Sequence, residues 1–155
     1  LARTFIDLSK TAISAMVLFN RFYSPDVNLD KEEIRPSHIF SHPHDISTSL
    51  RWIGMLSDQV ECDLSASTGV HDGHAVIKSI LVGAKATHVV SALYQNSESH
   101  IATMLEQMES WMDSKGYQSL SDFRGKLSQD EIKQPMMYER SQFMRYYSNY
   151  GDAKY

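Results

Sequence analysis

Residues 61–93 read ECDLSASTGVHDGHAVIKSILVGAKATHVVSAL, a pattern of strand, loop, helix and strand that predicts one complete βαβ unit. Val60–Ala66 is a short β-prone run, and Thr87–Leu93 is β-rich and mostly apolar, as expected of a strand buried on both faces. A crossover helix between parallel strands brings the carboxyl ends of both strands to one edge of the sheet. Because α/β folds bind ligands at that edge, we expect the loops after these strands to carry the site.

The segment between the two strands has the signals of a turn followed by a helix. Ser67-Thr68-Gly69 predicts a turn, Asp72 is a good N-cap, and Gly83 suits the end of the helix. The apolar residues at helical spacing are Val76, Ile77, Ile80, Leu81 and Ala84. We therefore predict a helix that crosses from the first strand to the second.

Composition indicates one globular domain. The chain has 155 residues, 42% hydrophobic and 22% charged, with a net charge of -4. The sequence has no Lys/Arg-rich face that would indicate binding to nucleic acid. No apolar run approaches the roughly 20 residues that span a membrane. Cys62 is the only cysteine, so neither a disulfide framework nor a cysteine metal site is expected, and a cytoplasmic location fits. The chain opens on Leu1 within a helical pattern, so we expect part of a longer polypeptide.

The other segments continue the alternation of helices and strands. In chain order they are a helix at Leu1–Ser14, a strand at Ala15–Phe19, a long loop at Phe22–Pro43 with a hairpin around Val27–Ile34, helices at Asp45–Asp58, Asn96–Lys115 and Ser119–Leu127, and a tail at Pro135–Tyr155. The long loop follows a strand end, where it is placed to cover a ligand. Residues 128–155 are expected to form a helical, aromatic tail that lies on the domain or on a partner subunit, as in a homodimer.

This alternation implies a parallel sheet. Three strands are too few to complete such a sheet. Such a sheet needs both faces covered and would leave two exposed edges. Either another chain supplies the rest, or these strands are the last part of a closed (β/α)8 barrel.

Four segments resemble parts of flavin-dependent dihydroorotate dehydrogenases, and they occur along the chain in the same order as in that family. The family's C-terminal GYxSxxDFxGKL run is similar to GYQSLSDFRGKLS at Gly116–Ser128, and its TGGIxxGxDA segment to STGVHDGHAVIKSILVGA at Ser67–Ala84. THVVSAL at Thr87–Leu93 and VLFNRFY at Val17–Tyr23 match two of its strands. The resemblance implies an α/β fold that is the C-terminal portion of a (β/α)8 TIM barrel, about three parallel strands with helices. Residues 1–155 would then be part of one FMN-binding domain whose N-terminal half is missing.

The resemblance also implies a function and a set of site residues. The family binds FMN and oxidises dihydroorotate to orotate, a step of pyrimidine biosynthesis. Asn20 and Arg21 would bind the dihydroorotate-like substrate. Ser67, Thr68 and Gly69, with Val90 and Ser91, would bind the FMN phosphate, which agrees with the usual position of phosphate sites in such barrels. The family's catalytic base belongs to earlier strands, so no catalytic residue is expected in this segment.

Three positions depart from the family pattern. Thr68 and Val90 stand where the family has glycine, and the Val90 side chain is expected to narrow the phosphate pocket. Arg21 stands where better-known members have serine, and a guanidinium can hold a carboxylate or phosphate with two hydrogen bonds.

Other interpretations stay open from the residues alone. Asn20 can cap its loop, and Ser67-Thr68-Gly69 suits an ordinary turn. His38, His42 and His44 have a spacing that can bind a transition metal, although solvated loop histidines are favoured and no metal is predicted. The alternatives to a dihydroorotate dehydrogenase are a related flavin barrel with another substrate and a non-catalytic homologue or protein–protein module.

Overall fold

The computed structural model describes residues 1–22, 24–37 and 39–138. Its centre is a parallel sheet with the strand order β1 (Ala15–Leu18), β4 (Asp63–Ala66), β5 (Ala86–Thr87). Val17 lies opposite Ser65 on β4, which in turn pairs with β5. The parallel sheet predicted from the alternation of helices and strands is therefore present.

An antiparallel hairpin follows β1. Its strands β2 (Pro25–Asn28) and β3 (Glu33–Pro36) pair so that Val27 lies opposite Ile34. This confirms the hairpin predicted inside the long loop.

The α-helices of the described residues are α1 (Ala2–Ser9), α2 (Ile46–Leu56), α3 (Gly73–Leu81), α4 (Ser91–Asn96) and α5 (His100–Lys115). The start of α3 is as predicted, because the Asp72 carboxylate accepts a hydrogen bond from the Ala75 N–H at 2.7 Å. Gly83 follows the end of α3 with a φ of 115°. Both α1 and α5 are shorter than predicted, and the helix predicted at Ser119–Leu127 is a single 3-10 turn at Leu120–Asp122.

The prediction of one buried strand at Thr87–Leu93 is wrong. Strand β5 ends at Thr87, Val90 is 60% exposed, and α4 begins at Ser91. The backbone N–H groups of Leu93 and Tyr94 donate to the Val90 carbonyl at 3.0 and 3.2 Å. The second half of this apolar run therefore forms a helical turn rather than a strand.

Two apolar clusters hold the elements together. One lies around α3 and α5 and contains Ile77, Met108 and the fully buried Phe123. The other joins the sheet to α2 through residues such as Leu18 and Ile53. The second cluster includes Leu18 and Ala66, the last residues of β1 and β4, so the core reaches the carboxyl ends of these strands and the loops begin directly beyond it.

Part of the predicted tail lies outside the described residues, which end at Tyr138 after a 3-10 turn at Pro135–Tyr138. The aromatic segment at 139–155 therefore stays a prediction. In the described part of the chain, no helix has both the length and the apolar character needed to cross a membrane.

Candidate functional site

All the binding residues predicted from the sequence line a single cavity of about 200 Å³ at the carboxyl ends of the parallel strands. They are Asn20, Arg21, Ser67, Thr68, Gly69, Val90 and Ser91. Ile39, Ser41, Val70 and His88 complete the lining. The structure thus brings together three loops that the sequence separates, as expected where parallel strands end at a common edge. We call this space the smaller cavity.

The turn after β4 presents two left-handed residues in succession. Thr68 has a φ of 73° and Gly69 a φ of 78°. The left-handed region is unfavourable for a β-branched residue. The Thr68 hydroxyl stabilises it there by donating to the Phe19 carbonyl at 2.9 Å. Within the described residues, the backbone N–H groups of Thr68 and Gly69 donate to no protein acceptor.

Gly69 is required by packing as well as by its backbone angle. A Cβ at this position would overlap the backbone N of Ile46 and would lie 2.9 Å from the Ile46 Cα and 3.0 Å from the Asp45 carbonyl carbon. The start of α2 therefore sits directly against this turn. The sequence interpretation, in which glycine lets the backbone approach an anion, stays a prediction, whereas close packing accounts for glycine without any ligand.

The loop after β5 tolerates valine at its turn. Val90 has a φ of -127° and a ψ of -67°, so this position does not need the left-handed freedom of glycine. The adjacent Ser91 hydroxyl accepts hydrogen bonds from the N–H and the hydroxyl of Ser41 at 2.9 and 3.0 Å. A valine at this position therefore does not have to adopt a positive φ.

Asn20 and Arg21 follow β1 and line both the smaller cavity and a neighbouring one. The Asn20 side-chain oxygen accepts a hydrogen bond from the Arg21 N–H at 2.9 Å. This contact is the local hydrogen bond that the sequence offered as an alternative to a binding role for Asn20. It does not use the N–H donors of the Asn20 amide. Arg21 is half-buried and forms no ion pair within the described residues.

The neighbouring space, which we call the larger cavity, has a volume of about 440 Å³. It lies between the β1 loop, the start of α2 and the segment before that helix. Its lining shares Asn20, Arg21 and Thr68 with the smaller cavity and adds His42, His44 and Asp45, among others. The long loop predicted to cover a ligand thus forms a wall of this space.

The charges of the two cavities differ. Asp45 lines the larger cavity, whereas the lining of the smaller cavity contains a guanidinium, an imidazole, hydroxyls and backbone N–H groups but no carboxylate. Hydrogen-bond donors without competing acids favour an anion, and charged acceptors form the stronger bonds with such donors.

Several lining residues were not predicted from the sequence, above all Ser41. Its hydroxyl lies 3.0 Å from the His71 Nε2, and the His100 Nε2 lies 2.8 Å from the His71 carbonyl oxygen. Nothing in the local pattern distinguishes Ser41 from the other serines of its loop. In the part of the chain that the structure describes, no group of three or more His, Cys, Asp or Glu side chains is placed to hold a metal ion. His38 lies outside that part.

Together, the parallel strands and their donor-lined edge define an α/β protein with part of a barrel-type sheet and a candidate anion site. No protein-family model matches the chain. Its sequence is 31% identical over 67 residues to dihydroorotate dehydrogenase A (fumarate) of Lactococcus lactis, an alignment that covers 43% of this chain and 22% of the relative. It is 37% identical over 59 residues to the putative enzyme of the same name from Streptococcus pyogenes, covering 38% and 19%.

A solved structure agrees with these sequence relatives. The dihydroorotate dehydrogenase of Eimeria tenella, crystallised in complex with ferulenol, superposes with a TM-score of 0.63 over 80% of this chain and 34% of that chain, at 16% identity. The matched part of this chain thus spans about a fifth of the curated relatives and about a third of the solved one. The predicted resemblance is confirmed: the chain is dihydroorotate dehydrogenase-like, and its fold is part of a TIM barrel.

Proposed function

We propose that this chain supplies the FMN-phosphate side of a flavin oxidoreductase that resembles dihydroorotate dehydrogenase. One observation carries the proposal. The residues that the family resemblance assigns to phosphate and substrate, although far apart in the sequence, line one cavity without a carboxylate. Similarity to dihydroorotate dehydrogenases supports an oxidoreductase of this kind.

The shape of the site suits the phosphate end of FMN. Ligand pockets for whole cofactors usually measure about 300–1,000 Å³. The smaller cavity, at about 200 Å³, fits one part of such a molecule, and the adjoining larger cavity of about 440 Å³ offers room for more. The N–H groups of Thr68 and Gly69, which have no acceptor within the described residues, are the donors we assign to the phosphate, and Ser67, Val90 and Ser91 line the cavity around them.

The roles of the remaining residues follow from their hydrogen bonds. When bound, FMN would supply the redox chemistry by accepting a hydride. The Asn20 oxygen already accepts one hydrogen bond from the Arg21 N–H, so we assign the N–H donors of the Asn20 amide to a substrate oxygen. The Arg21 guanidinium, which has no ion pair within the described residues, suits the carboxylate of a dihydroorotate-like substrate. Both residues bind and orient, and we assign no catalytic acid or base to this segment.

Flavin titration of the full-length protein tests the proposal. FMN should bind, and riboflavin, which lacks the phosphate, should bind at least about tenfold more weakly, because it loses charged hydrogen bonds. Equal affinity for both flavins would contradict a phosphate site in the smaller cavity. A protein that holds no flavin would favour the non-catalytic alternative.

Substitution of Asn20 tests the substrate side. Asn20→Ala should lower turnover of dihydroorotate about tenfold with FMN still bound, since one hydrogen bond to the substrate is lost. Asn96→Ala is a matched control, because among the described residues the Asn96 amide bonds to the Ala92 carbonyl in α4 and lies outside the lining of both cavities. Unchanged turnover in Asn20→Ala would argue against the substrate role.

A second candidate is a related flavin barrel with another substrate. Arg21 favours it, because a guanidinium at this position changes the charge offered to the substrate. Product identification with a panel of cyclic and acidic substrates separates the two candidates.

We also infer that further polypeptide completes the sheet. Within the described residues, β1 and β5 each pair on one side only, and Val17 on β1 is 49% exposed. An incomplete parallel sheet of this kind needs additional strands and helices to cover it. These edges support the missing N-terminal half of the barrel as part of the proposal. The homodimer stays a separate prediction, which sedimentation of the full-length protein would test.

A further inference from the structure

The segment before α2 crosses the edge of the sheet and touches both predicted phosphate loops. We call residues 39–46 the strap. At one end, the N–H and the hydroxyl of Ser41 donate to the Ser91 hydroxyl at 2.9 and 3.0 Å. Beside this contact, the rings of Phe40 and Tyr94 lie 5.9 Å apart. The strap is thus joined to the loop and helix that follow β5.

The other end of the strap packs on the turn after β4. Its backbone at Asp45 and Ile46 fills the space in which a Gly69 side chain would lie. One turn farther along α2, the Ser49 hydroxyl donates to the Ser67 carbonyl at 2.7 Å. The strap therefore connects the two loops by a path independent of the sheet.

The Ser41 hydroxyl has a second neighbour that restrains it. It lies 3.0 Å from the His71 Nε2, and the His71 carbonyl oxygen is in turn 2.8 Å from the His100 Nε2 at the start of α5. Ser41 is half-buried, so its hydroxyl is held between protein groups rather than by solvent alone. Such partly buried networks fix side chains when each member has a partner.

We propose that Ser41 is a positioning residue that sets the width of the smaller cavity by linking the strap to Ser91. The inference rests on the proposed function, because the bound group it concerns is the phosphate of FMN. Neither Ser67-Thr68-Gly69 nor Val90-Ser91 is held across the cavity by a direct hydrogen bond to the other within the described residues. The strap connects these two loops, and the Ser41–Ser91 hydrogen bonds are its link to the loop after β5.

Three variants of the full-length protein test the assignment. Ser41→Ala removes the hydroxyl and keeps the N–H bond, Ser91→Ala removes the acceptor of both bonds, and Ser99→Ala is the matched control. The control breaks a Ser97–Ser99 hydroxyl contact of 2.8 Å that is exposed and outside the cavity lining. FMN affinity should fall about two- to tenfold in Ser41→Ala, as expected for one hydrogen bond, with riboflavin affinity unchanged. Both affinities should be unchanged in Ser99→Ala.

Amide hydrogen exchange of the flavin-free protein gives an independent readout. The Ser41 amide should be protected in the wild type and should exchange about two- to tenfold faster in Ser91→Ala, because its acceptor is gone. Wild-type FMN affinity in Ser41→Ala, or an unprotected Ser41 amide in the wild type, would overturn the positioning role while leaving the proposed function standing. No FMN binding by the wild type would overturn the proposed function and the inference with it.

Discussion

Replacing Gly69 with alanine should destabilise the protein far more than the same change at another left-handed glycine. Gly69 has a φ of 78°, and its missing side chain would overlap the Ile46 N and lie within 3.0 Å of the Asp45 carbonyl carbon. These neighbours are backbone atoms at the start of α2, so they cannot rotate away as a flexible side chain would. Relief of the overlap requires α2 or the turn to shift.

Gly116 allows the two contributions to be separated. It ends α5 with a φ of 73°, and a Cβ built there meets no atom within 4 Å. Gly116→Ala should therefore cost only the left-handed strain, about 1 kcal/mol. Gly69→Ala adds overpacking against rigid backbone, about 2 kcal/mol more, which gives a total of about 3 kcal/mol.

Thermal and urea unfolding of the two variants measure the difference. For a chain of this size, 1 kcal/mol corresponds to roughly 3 °C in Tm, so we expect losses of about 3 °C for Gly116→Ala and about 9 °C for Gly69→Ala. Equal losses in the two variants would refute the argument that Gly69 is required by the close approach of α2. A loss of FMN affinity in Gly69→Ala without any loss of stability would instead indicate that glycine serves the ligand.

Two further predictions concern caps. Asp72→Ala should lower the free energy of unfolding by about 1 kcal/mol, because the Ala75 N–H loses its acceptor. Ser99→Ala at the start of α5, where the serine side chain makes no cap bond, should lower it much less. Urea unfolding of the two variants measures the difference. The backbone N–H of Ser119 is the main cause that holds the pKa of the Asp122 carboxyl below its ordinary value of 3.8. Since the lowered pKa belongs to the folded state, Asp122 stabilises the fold above pH 3.8, and this contribution disappears as the pH falls through the folded pKa. Unfolding followed from neutral to acid pH should therefore show a smaller acid-induced loss in Asp122→Asn than in the wild type.

Local signals predicted most of the fold correctly. The Asp72 cap, the apolar spacing from Val76 to Leu81 and the left-handed Gly116 each act within one or two helical turns, so the sequence alone reveals them. The grouping of Asn20 with Thr68 was also predictable, because parallel strands that end at one edge bring their loops together. Family resemblance selected the residues within those loops.

Errors and omissions arose where tertiary contacts decide the structure. Val89-Val90 favours a strand by composition, yet the chain turns into α4 because the Val90 carbonyl is taken by helical hydrogen bonds. No local pattern shows that Ser41 reaches Ser91, 50 positions away, or that Gly69 meets the start of α2. Each of these contacts depends on how α2 is placed on the sheet, which the sequence specifies only through the whole core.

The hydrogen bonds around the smaller cavity also determine when the site can form during folding. Ser67 with Ser49, Thr68 with Phe19, and Ser41 with Ser91 join positions 18, 49 and 50 apart. Such non-local contacts must overcome loop-closure entropy before they stabilise the chain, and they place the site late in folding. Closing the Ser49–Ser67 contact shortens the two longer loops, because both of them contain it, so this contact favours their closure. Binding of a ligand in this cavity therefore indicates that the non-local contacts have formed. It does not report on the helices, which need only local contacts.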